Sequence, residues 1–222
     1  MPSKYKSTDQ LGTYHIAQHP ELYTPARSNN YVFYPLFTKT TKLLRSGVDK
    51  SAAKGSDYID PQQAQEILAL SVTSAAVPHS QQNVITIKRG NTEVKFAGSW
   101  TYPSGSFVFN DYIGADTKSV LLAWRGLSQH TLDETVGDAS DYKVQGILVE
   151  YTPDHRQIRY WDMFGCWVSQ LSEGDFSSES DDKRQITATI EYDRAIEHLP
   201  DDLEAVTFVS QAQETTSTTE SE

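Results

Sequence analysis

Residues 158–168 read Ile-Arg-Tyr-Trp-Asp-Met-Phe-Gly-Cys-Trp-Val; with residues 147–151 before them and 186–192 after, they form three strand-like runs around a polar loop, residues 173–182. Aromatic and β-branched side chains dominate these runs, the composition that suits a pleated, packed surface. In the last run Ile186, Ala188, Ile190 and Tyr192 alternate with Thr187, Thr189 and Glu191. Successive strand residues point to opposite faces, so this run predicts one face on a core and the other in water. The three runs predict the closing part of a β-barrel or sandwich, and no nucleophile, metal cluster or phosphate loop competes with that reading.

Working outward, residues 31–37, Tyr-Val-Phe-Tyr-Pro-Leu-Phe, are apolar on both faces and predict a buried first strand. Residues 71–77 read as a strand, and Phe107-Val-Phe109 continues the β series. Residues 84–88 and 93–97 flank Arg89-Gly90-Asn91-Thr92, a hairpin signature because Gly and Asn tolerate positive φ. Two helices interrupt the strands. Asp60-Pro61 is a start signal, since Asp accepts from orphan N–H groups and Pro at the first position loses no hydrogen bond, so a short helix follows over 62–70. Asp116 is the expected cap of a second helix in which Val120, Trp124 and Leu127 share one face at i, i+4 and i+7. The expected fold class is therefore mainly β: a β-barrel or sandwich of two packed antiparallel sheets with one flanking amphipathic helix.

At 222 residues the chain suffices for one well-buried core, and 37% hydrophobic residues leave much of it at the surface or in extended segments. Residues 1–25, polar with scattered tyrosines, read as an extended N-terminal arm, and residues 26–200 as the β domain. Residues 201–222, acidic and rich in Ser and Thr apart from an apolar patch at 206–209, read as a disordered tail. Within the domain, residues 38–58 form a long loop in which Lys39, Lys42, Arg45, Lys50 and Lys54 stand against only Asp49 and Asp57. This local basic sign is unusual, because the chain carries 19 Lys and Arg against 30 Asp and Glu, a net charge of -11 that argues against gripping nucleic-acid phosphates. The single cysteine, Cys166, excludes an internal disulfide, and no run of about 18 apolar residues predicts a membrane span.

Candidate chemistry is sparse. The six histidines are scattered; the acidic group Asp133, Glu134, Asp138 and Asp141 lacks the ordered spacing of a calcium loop, and no nucleophile elbow or glycine-rich phosphate loop occurs. The expectation is no catalysis, no metal and no cofactor. Tyr160, Trp161, Phe164 and Trp167 offer a stacking platform for sugars or bases, with core packing as the favoured reading.

Taken in order, these elements resemble the tail tube proteins of long-tailed bacteriophages, a family akin to the tube protein of bacterial type VI secretion. The resemblance is carried by Ala26-Arg-Ser-Asn-Asn-Tyr-Val-Phe33, the segment 68–78, Val94-Lys-Phe-Ala-Gly98 before Phe107-Val-Phe109, the helix 117–127 with Trp124, Tyr160-Trp-Asp-Met-Phe-Gly-Cys-Trp-Val-Ser169, Gly174-Asp-Phe-Ser-Ser178 and the strand 186–192. It implies a structural virion protein, made in the host cytoplasm and built into the tail. Six copies form a ring, and rings stack into a hollow tube that conducts DNA to the host. The partners it implies are further copies of the chain, a sheath where the tail contracts, baseplate and terminator proteins, and the tape measure protein and DNA in the lumen, with no membrane. The basic loop then suggests an inter-ring contact through Lys39, Lys42, Arg45, Lys50 and Lys54. Two alternatives stand beside this: a baseplate protein of the same fold that starts the tube, and a monomeric carbohydrate-binding sandwich.

Overall fold

A computed structural model describes residues 25–114, 116–130, 132, 134–174 and 182–199. The arm expected over 1–25 (Pro25 apart), most of the polar loop 173–182 and the tail over 201–222 lie outside the described residues. Eleven strands and three α-helices follow in the order β1 (Tyr31–Leu36), β2 (Leu43–Leu44), β3 (Tyr58–Ile59), α1 (Pro61–Ser71), β4 (Val72–Ala75), β5 (Gln81–Arg89), β6 (Thr92–Thr101), β7 (Gly105–Asn110), α2 (Thr117–Ser128), α3 (Ala139–Tyr142), β8 (Val144–Tyr151), β9 (Gln157–Glu173), β10 (Gln185–Glu191) and β11 (Arg194–His198) among the described residues. A 3-10 turn, Gly55–Asp57, precedes β3.

Seven strands form one antiparallel path in the order β1-β8-β9-β10-β7-β4, with β11 added to β9. The barrel or two-sheet sandwich expected from sequence is met only as a mainly β, antiparallel architecture. The terminal strands β1 and β4 do not pair with each other, so the hydrogen-bonded path does not close. It curls instead: Phe33 of β1 meets Phe107 of β7 with ring centroids 4.7 Å apart.

The long strand β9 makes the curl possible. Its inward residues are Trp161 and Met163, then Cys166 and Val168, so the buried parity slips by one residue. Val144 of β8 faces Cys166 and Gly146 faces Met163, leaving Phe164 and Gly165 together opposite Gln145 alone. This is a β-bulge, and Gly165 takes the left-handed conformation it requires, φ +69. On the other edge, Glu191 pairs with Trp167 and Arg194 with Phe164, so β10 and β11 run as one strand past the kink. There Asp193 donates its N–H to the Phe164 carbonyl at 2.9 Å, and its carboxylate lies over Gly165 and accepts from Lys143 at 2.7 and 2.8 Å.

The helices close the core. Asp60 accepts from the Gln63 N–H at 3.0 Å and starts α1 as its sequence predicts. Asp116 departs from its expected role: with φ 52 it makes no side-chain cap, and its carboxylate pairs with Arg45 at 3.3 Å instead. In α2, Val120 and Trp124 are fully buried and Leu127 partly so, and Trp124 meets Phe37 edge to face at 5.3 Å. Thr117, buried at the start of α2, shares a hydrogen bond of 3.0 Å with Ser71 at the end of α1. The first strand is corrected from a buried strand to a terminal one. Phe33 and Pro35 face inward while its remaining residues are half-buried, and a sheet end is where a proline's missing donor is tolerated. Strand β11 has no counterpart among the sequence expectations, and the β2–β3 ribbon brings Leu43 and Leu44 of the basic loop, with Ile59 just beyond it, into the core.

Candidate functional site

No group of three or more His, Cys, Asp or Glu is placed to hold a metal among the described residues. The aromatic run of β9 is already occupied: Trp161 is buried in the core, Trp167 packs edge-on to Tyr142 at 5.6 Å, and Tyr160 stacks on His198 at 4.3 Å. Trp161 and Trp167 thus take the packing role favoured from the sequence rather than that of a stacking platform; Phe164 alone keeps notable exposure, at 38%. Cys166 is buried, and burial pushes its thiol up to about 12, so it is a packing residue rather than a nucleophile. Among the described residues no helix is long and apolar enough to cross a membrane.

What the surface offers instead is unfinished packing. Strands β5 and β6 form a separate two-stranded sheet that pairs with no other described strand. Its length, about 30 Å at the usual strand rise, projects from the core. Gly90 turns the chain at φ +65. Directly opposed residues share a face, so the pairs Ile85–Phe96 and Ile87–Val94 make one apolar face, while Thr86–Lys95 and Lys88–Glu93 make the other largely polar. Alternation of this kind ordinarily marks a face turned to a core, yet Ile85, Ile87, Val94 and Phe96 are 46–54% exposed, and Trp100 is 62% exposed at the base. An isolated two-stranded ribbon is marginal in water, and a contiguous apolar face is a signature of an interaction surface. The hairpin was legible in sequence; that its apolar face is uncovered among the described residues was not.

Two further features are open to a partner. The outward edges of β1 and β4 carry no strand among the described residues, leaving backbone donors and acceptors available for pairing. The basic loop presents Lys39, Lys42, Arg45, Lys50 and Lys54, all exposed. Both of its acidic residues are turned to local structure: Asp49 accepts from the Ser51 N–H and hydroxyl at 2.8 Å, and Asp57 accepts from the Lys54 N–H at 2.7 Å. Arg45 has Asp116, but the four lysines face no carboxylate among the described residues.

The chain thus combines a curled antiparallel sheet, a kinked β8–β9 hairpin, a projecting apolar ribbon and a helix across the core. No protein-family model matches this sequence, and no curated protein matches it. Solved structures match in fold. A chain from the sheath–tube complex of the PVC extracellular contractile injection system in its extended state is 15% identical over 85% of this chain and 98% of that one, with a TM-score of 0.53. A chain from the tube-terminating cap of the anti-feeding prophage is 14% identical over 79% of this chain and 91% of that one, with a TM-score of 0.52. A chain from the anti-feeding prophage baseplate is 10% identical over 78% and 95%, with a TM-score of 0.53. The fold is thus shared with chains from a sheath–tube complex, a tube-terminating cap and a baseplate.

Proposed function

We propose that this chain is a structural subunit of a tail tube, whose copies join into rings, six to a ring, that stack into a conduit for DNA. The observation that carries the proposal is the β5–β6 ribbon, whose apolar face has no partner among the described residues. In a ring a neighbouring copy covers that face, and the open edges of β1 and β4 find partners as well. The net charge of -11 is repeated around each ring, and carboxylates turned to the lumen repel passing phosphates. Lys39, Lys42, Arg45, Lys50 and Lys54 face the adjoining ring. A second reading, a cap or baseplate ring that ends or starts the tube, is supported by the comparable fold likeness to the anti-feeding prophage cap and baseplate.

Negative-stain electron microscopy of purified protein tests both contacts. Parent protein is expected to form rings and rods. Ile85→Glu with Phe96→Glu is expected to leave folded single subunits, and Lys39→Glu with Lys42→Glu and Arg45→Glu to leave rings that do not stack. A parent that stays monomeric at high concentration refutes the tube. Normal rods from either variant refute the contact it probes.

A further inference from the structure

A cleft of about 40 Å³ lies between the basic loop and the last turns of α2. Leu44, Leu127 and Leu132 supply apolar walls, and Lys42, Arg45 and Lys50 form a cationic rim. Leu132 is 58% exposed. The volume is far below the roughly 300–1,000 Å³ of small-molecule sites, so the cleft suits one apolar side chain rather than a ligand or cofactor. Lys42 and Lys50 have no carboxylate partner among the described residues, which leaves two cations beside an apolar socket in an acidic protein.

The chain itself contains the complementary chemistry. Residues 201–209 read Asp-Asp-Leu-Glu-Ala-Val-Thr-Phe-Val, with three carboxylates at one end and apolar Val206, Phe208 and Val209 at the other. No Lys or Arg occurs from 201 to 222. Fully extended, the stretch from Leu199 to Phe208 reaches about 30 Å, against a radius of gyration of about 16 Å for a domain of this size. It is long enough to bridge from one subunit to the next.

From this complementarity of charge and shape, we infer that the basic-rimmed cleft beside α2 is a docking site for the acidic–apolar segment 201–209 of a second copy of this chain. Phe208 or Val206 enters the socket while Asp201, Asp202 and Glu204 lie against Lys42 and Lys50. The inference rests on the tube reading, which brings neighbouring copies together at high local concentration, and it gives the basic loop a specific partner.

The first test is binding of a fluorescein-labelled peptide of residues 199–213 to the full-length chain, read by anisotropy. Saturable binding is expected, weakened about tenfold both by Lys42→Glu with Lys50→Glu in the chain and by Val206→Ser with Phe208→Ser in the peptide. It should weaken further with added salt, because exposed ion pairs are screened. Absence of saturation, or binding indifferent to the lysine reversals, overturns the inference. The second test mixes a Lys50→Cys chain with a Phe208→Cys chain under oxidation, Cys166 being buried. Cross-linked pairs of chains are expected; a cross-link confined to a doubly substituted single chain overturns docking between copies. Rods are read separately by microscopy, so rods without cross-links refute this docking and leave the tube, whereas absence of rods with intact peptide binding refutes the tube and leaves the cleft.

Discussion

Replacing Gly165 with alanine probes the bulge that lets β9 bury Trp161 and Met163 on one side of the kink and Cys166 and Val168 on the other. At φ +69 an L residue pays for the left-handed conformation with about 1–2 kcal/mol. The new Cβ would also overlap the Asp193 carboxylate, whose Cγ lies 2.9 Å from the Cβ position. Displacing that carboxylate breaks its contacts with Lys143 at 2.7 and 2.8 Å. Both partners are partly exposed, 31% for Lys143 and 59% for Asp193, which limits this loss to at most about 1 kcal/mol. Together the two effects amount to about 1–3 kcal/mol, or a fall in melting temperature of about 2–12 °C for a chain of this size. Thermal unfolding followed by circular dichroism, at a dilution that keeps subunits apart, measures it. Asp193→Ala alone should cost only the ion pair. The double variant should cost less than the sum of the singles, because removing the carboxylate also removes the overlap. A Gly165→Ala subunit melting within about 1 °C of the parent, or strict additivity in the double variant, refutes the reasoning.

The burial that pushes the Cys166 thiol up to about 12 predicts no labelling by iodoacetamide near pH 8 in folded subunits and full labelling after denaturation; rapid stoichiometric labelling of the native protein contradicts it. Glu173 is held below its ordinary 4.5, first by its hydrogen bond with Lys118, which outweighs partial burial, and further by Arg184. A depressed carboxylate contributes stability above its unfolded value that is lost as pH falls through the folded one, so Glu173→Gln should shrink the drop in melting temperature between about pH 5 and pH 3. An unchanged acid slope in that variant excludes the contribution. Gly137→Ala places a Cβ on the Leu127 carbonyl, a backbone atom in the last turn of α2, and should lower the melting temperature by several degrees; an alanine variant as stable as the parent disproves that close approach.

Local signals account for what was legible in the sequence. The β5–β6 hairpin, the Asp60 cap and the alternation of Ile186, Ala188 and Ile190 each depend on residues within a few positions of one another, and each has its counterpart in the structure. Asp116 was misread because its sequence position suits a cap, whereas Arg45, 71 residues away, captures its carboxylate. The exposed apolar face of Ile85, Ile87, Val94 and Phe96 escaped notice for a related reason. Alternation says that a face is made to be covered, but not whether the cover is in the same chain.

The sequence by itself determined the β-rich class, the places of two helices and a hairpin, and the basic loop in an acidic chain, because propensity, turn chemistry and charge are properties of neighbouring residues. Only the tertiary structure decided that the strands follow one open path, that β9 slips its buried face at Gly165, and that β11 continues β10 past the kink. It also decided that the cationic loop shares a cleft with α2. Those outcomes depend on pairing between distant segments, where the burial of Phe33, Phe107 and Trp124 in one core selects among registers that the local pattern leaves equivalent.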